Sequence, residues 1–122
     1  MVYRSVRVIL QNNTNELLVV ESSNVVRGNW SAGYEPVWSQ VIPMQSTVEW
    51  GSESSEVGLG TVAYVRFSTT SGYVTVAWTF DWIGEVVPRI ELPANLQCTC
   101  ELNTEEPAAV VLVVTLRPVF HQ

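Results

Sequence analysis

Aromatic rings close to carboxylates are the residues of this sequence best suited to bind a ligand. Two segments without a regular pattern, 31–43 and 81–88, combine the two kinds of side chain. The side chains concerned are Tyr34, Glu35, Trp38, Asp81, Trp82 and Glu85. A cation is attracted to the face of an aromatic ring, and a nearby carboxylate adds to that attraction. We therefore predict a site for a choline or ethanolamine headgroup, with ordinary surface charge as the alternative for each carboxylate.

The five tryptophans divide between predicted core and predicted loops. Trp78 lies on the apolar face of a predicted strand, and Trp50 shares a face with Val48, so both are expected in the core. Trp38 and Trp82 lie in the irregular segments, where exposure and burial are equally expected. Exposed rings of this kind serve as platforms for sugars and as anchors at the membrane interface. A cluster of them at one end of the domain would mark a binding surface.

No catalytic arrangement can be assembled from the sequence. The single histidine, His121, is close to the carboxyl terminus, and the chain has no lysine. Neither a Ser-His-acid nor a Cys-His arrangement is therefore indicated. Glu49, Glu53 and Glu56 are close in sequence, but catalytic acids are recognised only by their separation in space, and a solvated turn is the expected alternative. We expect a non-enzymatic protein without a cofactor.

Cys98 and Cys100 are separated by one residue on a predicted strand. Side chains two residues apart on a strand point to the same face at about 7 Å, which is at or beyond the reach of an unstrained disulfide. Two buried free thiols are therefore predicted. No metal site is expected, because the pair supplies only two ligands and His121 is distant in sequence.

The charged residues argue against two classes of partner. The chain has 12 acidic residues and six arginines, which give a formal net charge of −6. The arginines are scattered rather than clustered, so no nucleic-acid partner is expected. The negative charge also argues against electrostatic docking on anionic lipids. Any membrane binding would depend on aromatic insertion and on recognition of a headgroup.

Apolar and polar residues alternate along most of the sequence, as is typical of β-strands. About seven or eight strands with short polar connections are predicted. The final strand, 108–116, is apolar on both faces and should be central in its sheet. This pattern predicts an all-β fold, an antiparallel β-sandwich, and residues 1–122 fit a single domain of that kind.

Four short elements occur in a fixed order within residues 4–85. They are a strand with an Asn-rich turn (4–14), Gly28 with Trp30, Glu53-Ser54 before a glycine turn, and Gly60-Thr61 before an aromatic strand. Together they resemble the aegerolysin family, small acidic β-sandwich proteins that include one component of two-part insecticidal crystal toxins and fungal relatives. Glu56 and Val62-Ala63 depart from the glycine and the Glu-Gly that the family usually has there.

The resemblance implies a protein that binds particular membrane lipids or lipid domains. It also implies a larger partner protein that forms the pore, so that the pair acts as an insecticidal or haemolytic toxin. We expect no ordinary signal peptide, because the first residues lack a basic segment followed by an apolar one. The resemblance to crystal toxins implies a protein that is secreted or deposited in crystal inclusions without such a peptide, and that then lies at the periphery of the target membrane.

Two other functions stay open on the sequence alone. A lectin-like module would use the same rings to stack on sugars. An acidic, lysine-free β-sandwich could also self-associate as a structural protein or homo-oligomer. A lipid panel beside a glycan array separates the first two functions, and light scattering at several concentrations tests the third.

Overall fold

The computed structural model describes residues 1–119, which form ten β-strands and, within that range, no helix that could cross a membrane. His121 lies outside the described residues. The strands are β1 (Arg4–Asn12), β2 (Leu18–Arg27), β3 (Asn29–Trp30), β4 (Val41–Ile42), β5 (Ser46–Ser54), β6 (Thr61–Thr69), β7 (Gly72–Phe80), β8 (Val87–Glu91), β9 (Leu96–Asn103) and β10 (Ala109–Pro118). Eight strands have five residues or more, in agreement with the predicted number. The all-β fold class is confirmed.

The strands form two five-stranded sheets that enclose one core. The first sheet has the order β3-β5-β1-β10-β9, and the second has the order β4-β2-β6-β7-β8. Neighbouring strands are antiparallel except β1 and β10, which are parallel from the Ser5–Ala109 pair to the Asn12–Leu116 pair. The final strand is central, as predicted, and this one parallel pair is the difference from a wholly antiparallel sandwich.

Buried apolar side chains, which alternate with more exposed residues along the strands, fill the space between the sheets. In β7, for example, Val74, Val76 and Trp78 are buried while the residues between them are half-buried. Trp50 and Trp78 are each 1% exposed, which confirms their predicted core positions. Trp30 packs against Trp78 edge to face, with ring centroids 6.1 Å apart. Burial of a large apolar side chain contributes about 1.5–3 kcal/mol, so these indoles are main contributors to stability.

The sequence elements that resemble the aegerolysins meet at one corner of this core. The buried hydroxyl of Ser52 accepts hydrogen bonds from Trp78 Nε1 and from Thr61 Oγ1, both at 2.8 Å, and so links the two sheets. Gly28 has a φ of 92°, and a Cβ there would overlap the carbonyl oxygen of Glu53. These residues therefore form part of the scaffold, and the candidate ligand site lies in the loops beside it.

Candidate functional site

The β3–β4 loop, residues 31–40, crosses from the first sheet to the second and is held to both by backbone hydrogen bonds. At its start the Gly51 N–H donates to the Tyr34 carbonyl over 3.0 Å. At its end the Ser39 N–H donates to the Val20 carbonyl over 2.8 Å, and the Val20 N–H donates to the Gln40 carbonyl over 2.9 Å. The loop is therefore fixed at both ends although it has no regular structure.

Trp38 lies at the tip of a tight turn in this loop. The turn is closed by a 3.0 Å hydrogen bond from the Gln40 N–H to the Val37 carbonyl. Ser39, the third residue of the turn, has a φ of 68°, and a positive φ at this position is typical of a type II turn. The turn projects Trp38 into solvent, where it is 76% exposed. Of the two environments that the sequence left open for this ring, the structure shows the exposed one.

Other exposed apolar residues lie on or beside the edge strand β4 next to this turn. We call the set Val37, Trp38, Val41 and Met44 the Trp38 patch. Each member is more than half exposed. Ile42 points into the core, so its neighbour Val41 faces outward, where it pairs with Val19 of β2. Trp38 was predicted as a site residue, but its three apolar neighbours were not, because nothing in the sequence shows that they lie on or beside a two-residue edge strand.

Tyr34 is covered by an arginine. The guanidinium of Arg7 lies 3.5 Å from the ring centroid of Tyr34, on the outer face of the first sheet. Both residues line a cavity of about 400 Å³ with Ser31 and Glu53. Glu35 is exposed, and its carboxylate accepts a 3.1 Å hydrogen bond from the Gly33 N–H in the same loop. Of the three predicted residues here, Trp38 has the most accessible ring.

The second predicted group lies in the β7–β8 loop, residues 81–86. Arg4 covers Trp82 at 4.0 Å from its ring centroid and also donates from Nε and Nη2 to its carbonyl, at 3.2 and 3.0 Å. Tyr3 packs edge-on against the same indole, with centroids 6.0 Å apart. Trp82 is therefore only half-buried by aromatic and cationic neighbours, while Asp81 and Glu85 are exposed. Asp81 pairs with Arg27 over 3.7 Å.

The two loops are well separated along the second sheet. The turn of Trp38 is bonded to Val20, which lies opposite Phe67 of β6. The β7–β8 loop begins after Phe80, which lies opposite Thr61 of the same strand. Six residues of strand correspond to about 20 Å. The six predicted site residues therefore occupy two places on the surface, three in each loop.

The cysteines depart in part from the prediction. Both are free thiols, as expected, but Cys100 is exposed and Cys98 is half-buried. The predicted burial of both is wrong, because β9 is an edge strand of which only Leu96 is fully covered. Desolvation, with a smaller contribution from Cys98, raises the pKa of the Cys100 thiol to about 11. Residues 1–119 contain no cluster of three metal-ligating side chains.

Comparison with known proteins finds similarity at the level of structure. The chain is similar to the crystal structure of the lipid binding protein Nakanori, with a TM-score of 0.75 and 11% sequence identity. The similarity covers 93% of this chain and 70% of that chain. At this identity the two proteins share a fold. No protein-family model and no curated protein sequence matches the chain.

Proposed function

We propose that this protein binds a membrane lipid reversibly through the Trp38 patch, without catalysing a reaction. The proposal depends above all on one observation: the Trp38 indole is 76% exposed on a fixed turn with apolar neighbours. Single exposed apolar residues are ordinary on a protein surface, whereas a group of them is typical of an interaction site. Tryptophan in particular favours the interface between lipid and water.

The patch is large enough for reversible attachment. Transfer of one large apolar side chain out of water contributes about 1.5–3 kcal/mol. The four side chains of the Trp38 patch are all more than half exposed in the free protein. Most of the free energy of their transfer out of water is therefore available on binding. Part of it offsets the loss of freedom on association. The remainder supports peripheral binding, far weaker than the insertion of a spanning segment.

Charge indicates the class of lipid. The formal net charge of −6 opposes anionic headgroups. A choline or ethanolamine group carries a cation that can lie over the Trp38 indole, and the exposed carboxylate of Glu35, three residues away, adds to the attraction. We therefore propose zwitterionic lipids as the ligands. The lipid-binding name of the similar solved structure supports the same class of function by analogy.

We propose further that lipid binding serves a two-part toxin, on the resemblance of the sequence to aegerolysins. In this role the chain would act outside the producing cell, after secretion or release from crystal inclusions. It would concentrate a larger pore-forming protein on the target membrane. A direct test uses this chain alone with dye-loaded vesicles that it binds. The dye should stay inside, and release by this chain alone would contradict the division of roles.

Vesicle co-sedimentation tests the lipid proposal. Vesicles of phosphatidylcholine, with and without phosphatidylethanolamine, should bind the protein, and added phosphatidylserine should weaken binding. Trp38→Ala should reduce the affinity about 10- to 100-fold, since one buried indole is lost. Ile83→Ala is the matched control, because Ile83 is 87% exposed in the other loop. Its affinity should equal that of the wild type.

A glycan array with the same three proteins separates the lipid proposal from the lectin alternative. Wild type that binds no vesicle, or Trp38→Ala that binds vesicles as the wild type does, would contradict the lipid proposal. Glycan binding that Trp38→Ala abolishes, without vesicle binding, would favour a lectin. Absence of both activities would favour a self-associating structural protein.

A further inference from the structure

The two sheets end in four terminal strands that differ in the protection of their outer edges. β3 and β4 have only two residues each, and β8 has five with Pro88 among them. Short strands and proline are common devices against edge-to-edge pairing. The part of β2 that extends beyond β4 is interrupted by two β-bulges, which have the same effect. The ends at β4 and β8 are thus protected. At the fourth end β3 covers Ser52 and Glu53 of β5 and the following loop bonds to Gly51, so residues 46–50 extend beyond it.

β9 has none of these devices. It is eight residues long and pairs with β10 in unbroken register from the Leu96–Pro118 pair to the Asn103–Val111 pair. The strand contains no proline, glycine or lysine. Within residues 1–119 no strand pairs with its other edge. β9 therefore presents a row of N–H and C=O groups that are free to pair with another strand.

We propose that two copies of this chain associate through antiparallel pairing of their β9 strands, which joins the two first sheets into one of ten strands. A two-fold axis perpendicular to the sheet keeps like faces together, so even-numbered residues meet even-numbered ones. With the axis at Thr99, Cys98 lies opposite Cys100 of the second copy. Leu102, 41% exposed in one chain, lies opposite Leu96 and is covered.

The charges on the outer face suit this register. Glu101 lies opposite Gln97 of the second copy, so no carboxylate faces a carboxylate. Gln97 is itself paired with Arg117 of β10. The exposed Arg117 is then about 10 Å, two strand spacings, from Glu101 of the second copy, within reach of the two side chains. The one ion pair within residues 1–119 joins Arg27 and Asp81, so neither Arg117 nor Glu101 is in an ion pair, and Arg117 donates one exposed 3.3 Å hydrogen bond to Thr99 Oγ1.

The proposed interface is independent of lipid binding. β9 ends the first sheet on the β10 side, whereas the Trp38 patch borders β4, which contacts β5 near the other end of that sheet. Association through β9 therefore leaves the patch accessible. Loss of one activity by substitution should leave the other intact, which makes failure of the two proposals distinguishable.

Sedimentation velocity over a range of concentrations tests the association and its register. The wild type should form a reversible dimer. Gln97→Glu sets like charges opposite each other at two symmetric positions and should weaken the dimer about 2- to 30-fold. Gln97→Lys sets opposite charges there and should strengthen it. Gln97 is exposed in the single chain, so both variants should fold. A monomer at every concentration, or equal effects of the two variants, would overturn the proposal.

Disulfide trapping gives a second test of the same register. Copper(II)-phenanthroline should oxidise Cys98 of one copy and Cys100 of the other. One S–S bond forms for each pair, and two protons and two electrons are lost, the electrons reducing two Cu(II) to Cu(I). The added Cu(II) accepts these electrons. The raised pKa of Cys100, about 11, leaves little thiolate at neutral pH, so oxidation without a catalyst should be slow.

The expected product is a covalent dimer that migrates as a single chain after reduction. Cys100→Ser should abolish the crosslink while the reversible dimer persists in sedimentation. Peptide mapping of the wild-type product should recover Cys98 joined to Cys100 of the second copy. Oxidation that leaves only monomers, or crosslinks that survive in Cys100→Ser, would contradict the pairing centred on Thr99.

Discussion

The β3–β4 and β7–β8 loops carry similar residues, yet their tryptophans have different surroundings. In the β7–β8 loop, Arg4 and Tyr3 cover Trp82. In the β3–β4 loop, an arginine covers Tyr34, whereas within residues 1–119 no arginine or aromatic ring stacks on Trp38. Trp38 is consequently 76% exposed. One loop thus uses its indole for packing, and the other leaves its indole free for a ligand.

This difference shows that strand residues distant in sequence decide whether a ring in a loop is available. Arg4 and Arg7 both belong to β1, which precedes both loops in sequence and lies in the centre of the first sheet. A guanidinium over a ring forms a cation–π contact and occupies the face that a ligand cation would need. We therefore expect the covered rings to contribute to stability and the open ring to contribute to binding.

Among the loop rings and the arginines that cover them, loss of the covered indole should have the largest effect on stability. Trp82→Ala removes the ring that contacts Arg4 and Tyr3, and we expect the free energy of unfolding to fall by about 1–3 kcal/mol. The value lies below that of a fully buried tryptophan because Trp82 is half-buried. Urea denaturation measures the change, with Ile83→Ala as control. Equal stability of the two variants would show that the packing around Trp82 contributes nothing.

Loss of the covering arginine should have the next largest effect. Arg4→Gln removes the cation–π contact and the two hydrogen bonds to the Trp82 carbonyl. We expect a decrease of about 1–2 kcal/mol in the free energy of unfolding. In a Trp38→Phe background, acrylamide should also quench the remaining tryptophan emission more strongly, because Trp82 becomes accessible. Unchanged quenching would mean that Arg4 does not limit access to the ring.

A smaller effect on stability is expected for Arg7, whose guanidinium contacts the Tyr34 ring. Arg7→Gln uncovers Tyr34, and we expect a loss of about 0.5–1 kcal/mol in the free energy of unfolding. Arg66→Gln is a suitable comparison, since Arg66 lies 4.0 Å from the ring centroid of the exposed Tyr73. A loss from Arg7→Gln as large as that from Trp82→Ala would contradict this ranking.

Substitution of Trp38 should have the smallest effect on stability, although it is predicted to have the largest effect on lipid binding. Trp38→Ala removes a ring that is mostly in solvent, and we expect the free energy of unfolding to stay within about 0.5 kcal/mol of the wild-type value. Thermal and urea unfolding measure this. A loss of more than about 1 kcal/mol would indicate that Trp38 packs in the folded protein and would remove the distinction between the loops.

Features encoded by local alternation were predictable from the sequence. The strand faces of β7, the core positions of Trp50 and Trp78 and the central place of the final strand follow from which residues alternate over a few positions. The exposure of Trp38 was left open, since its environment depends on a turn with a positive φ at Ser39. That backbone geometry has no clear signal in a serine.

Features that depend on distant strands were not predictable in the same way. The parallel pairing of β1 with β10 joins residues about a hundred positions apart, and the spacing of apolar residues within each strand does not identify its partner. Arg4 and Arg7 gave no local sign that they cover rings in other loops. The exposure of Cys100 depends on its place in an edge strand, which only the strand order reveals.

The insertion of β10 between β1 and β9 also constrains how the protein acquires its structure. Until β10 has been synthesised, β1 lacks a neighbour on one side and β9 has no strand to join. Pairing between distant segments is slow because a long loop must close first. We therefore expect the first sheet to assemble only after β10 has left the ribosome, and a ribosome-bound chain stalled before β10 to remain sensitive to proteases.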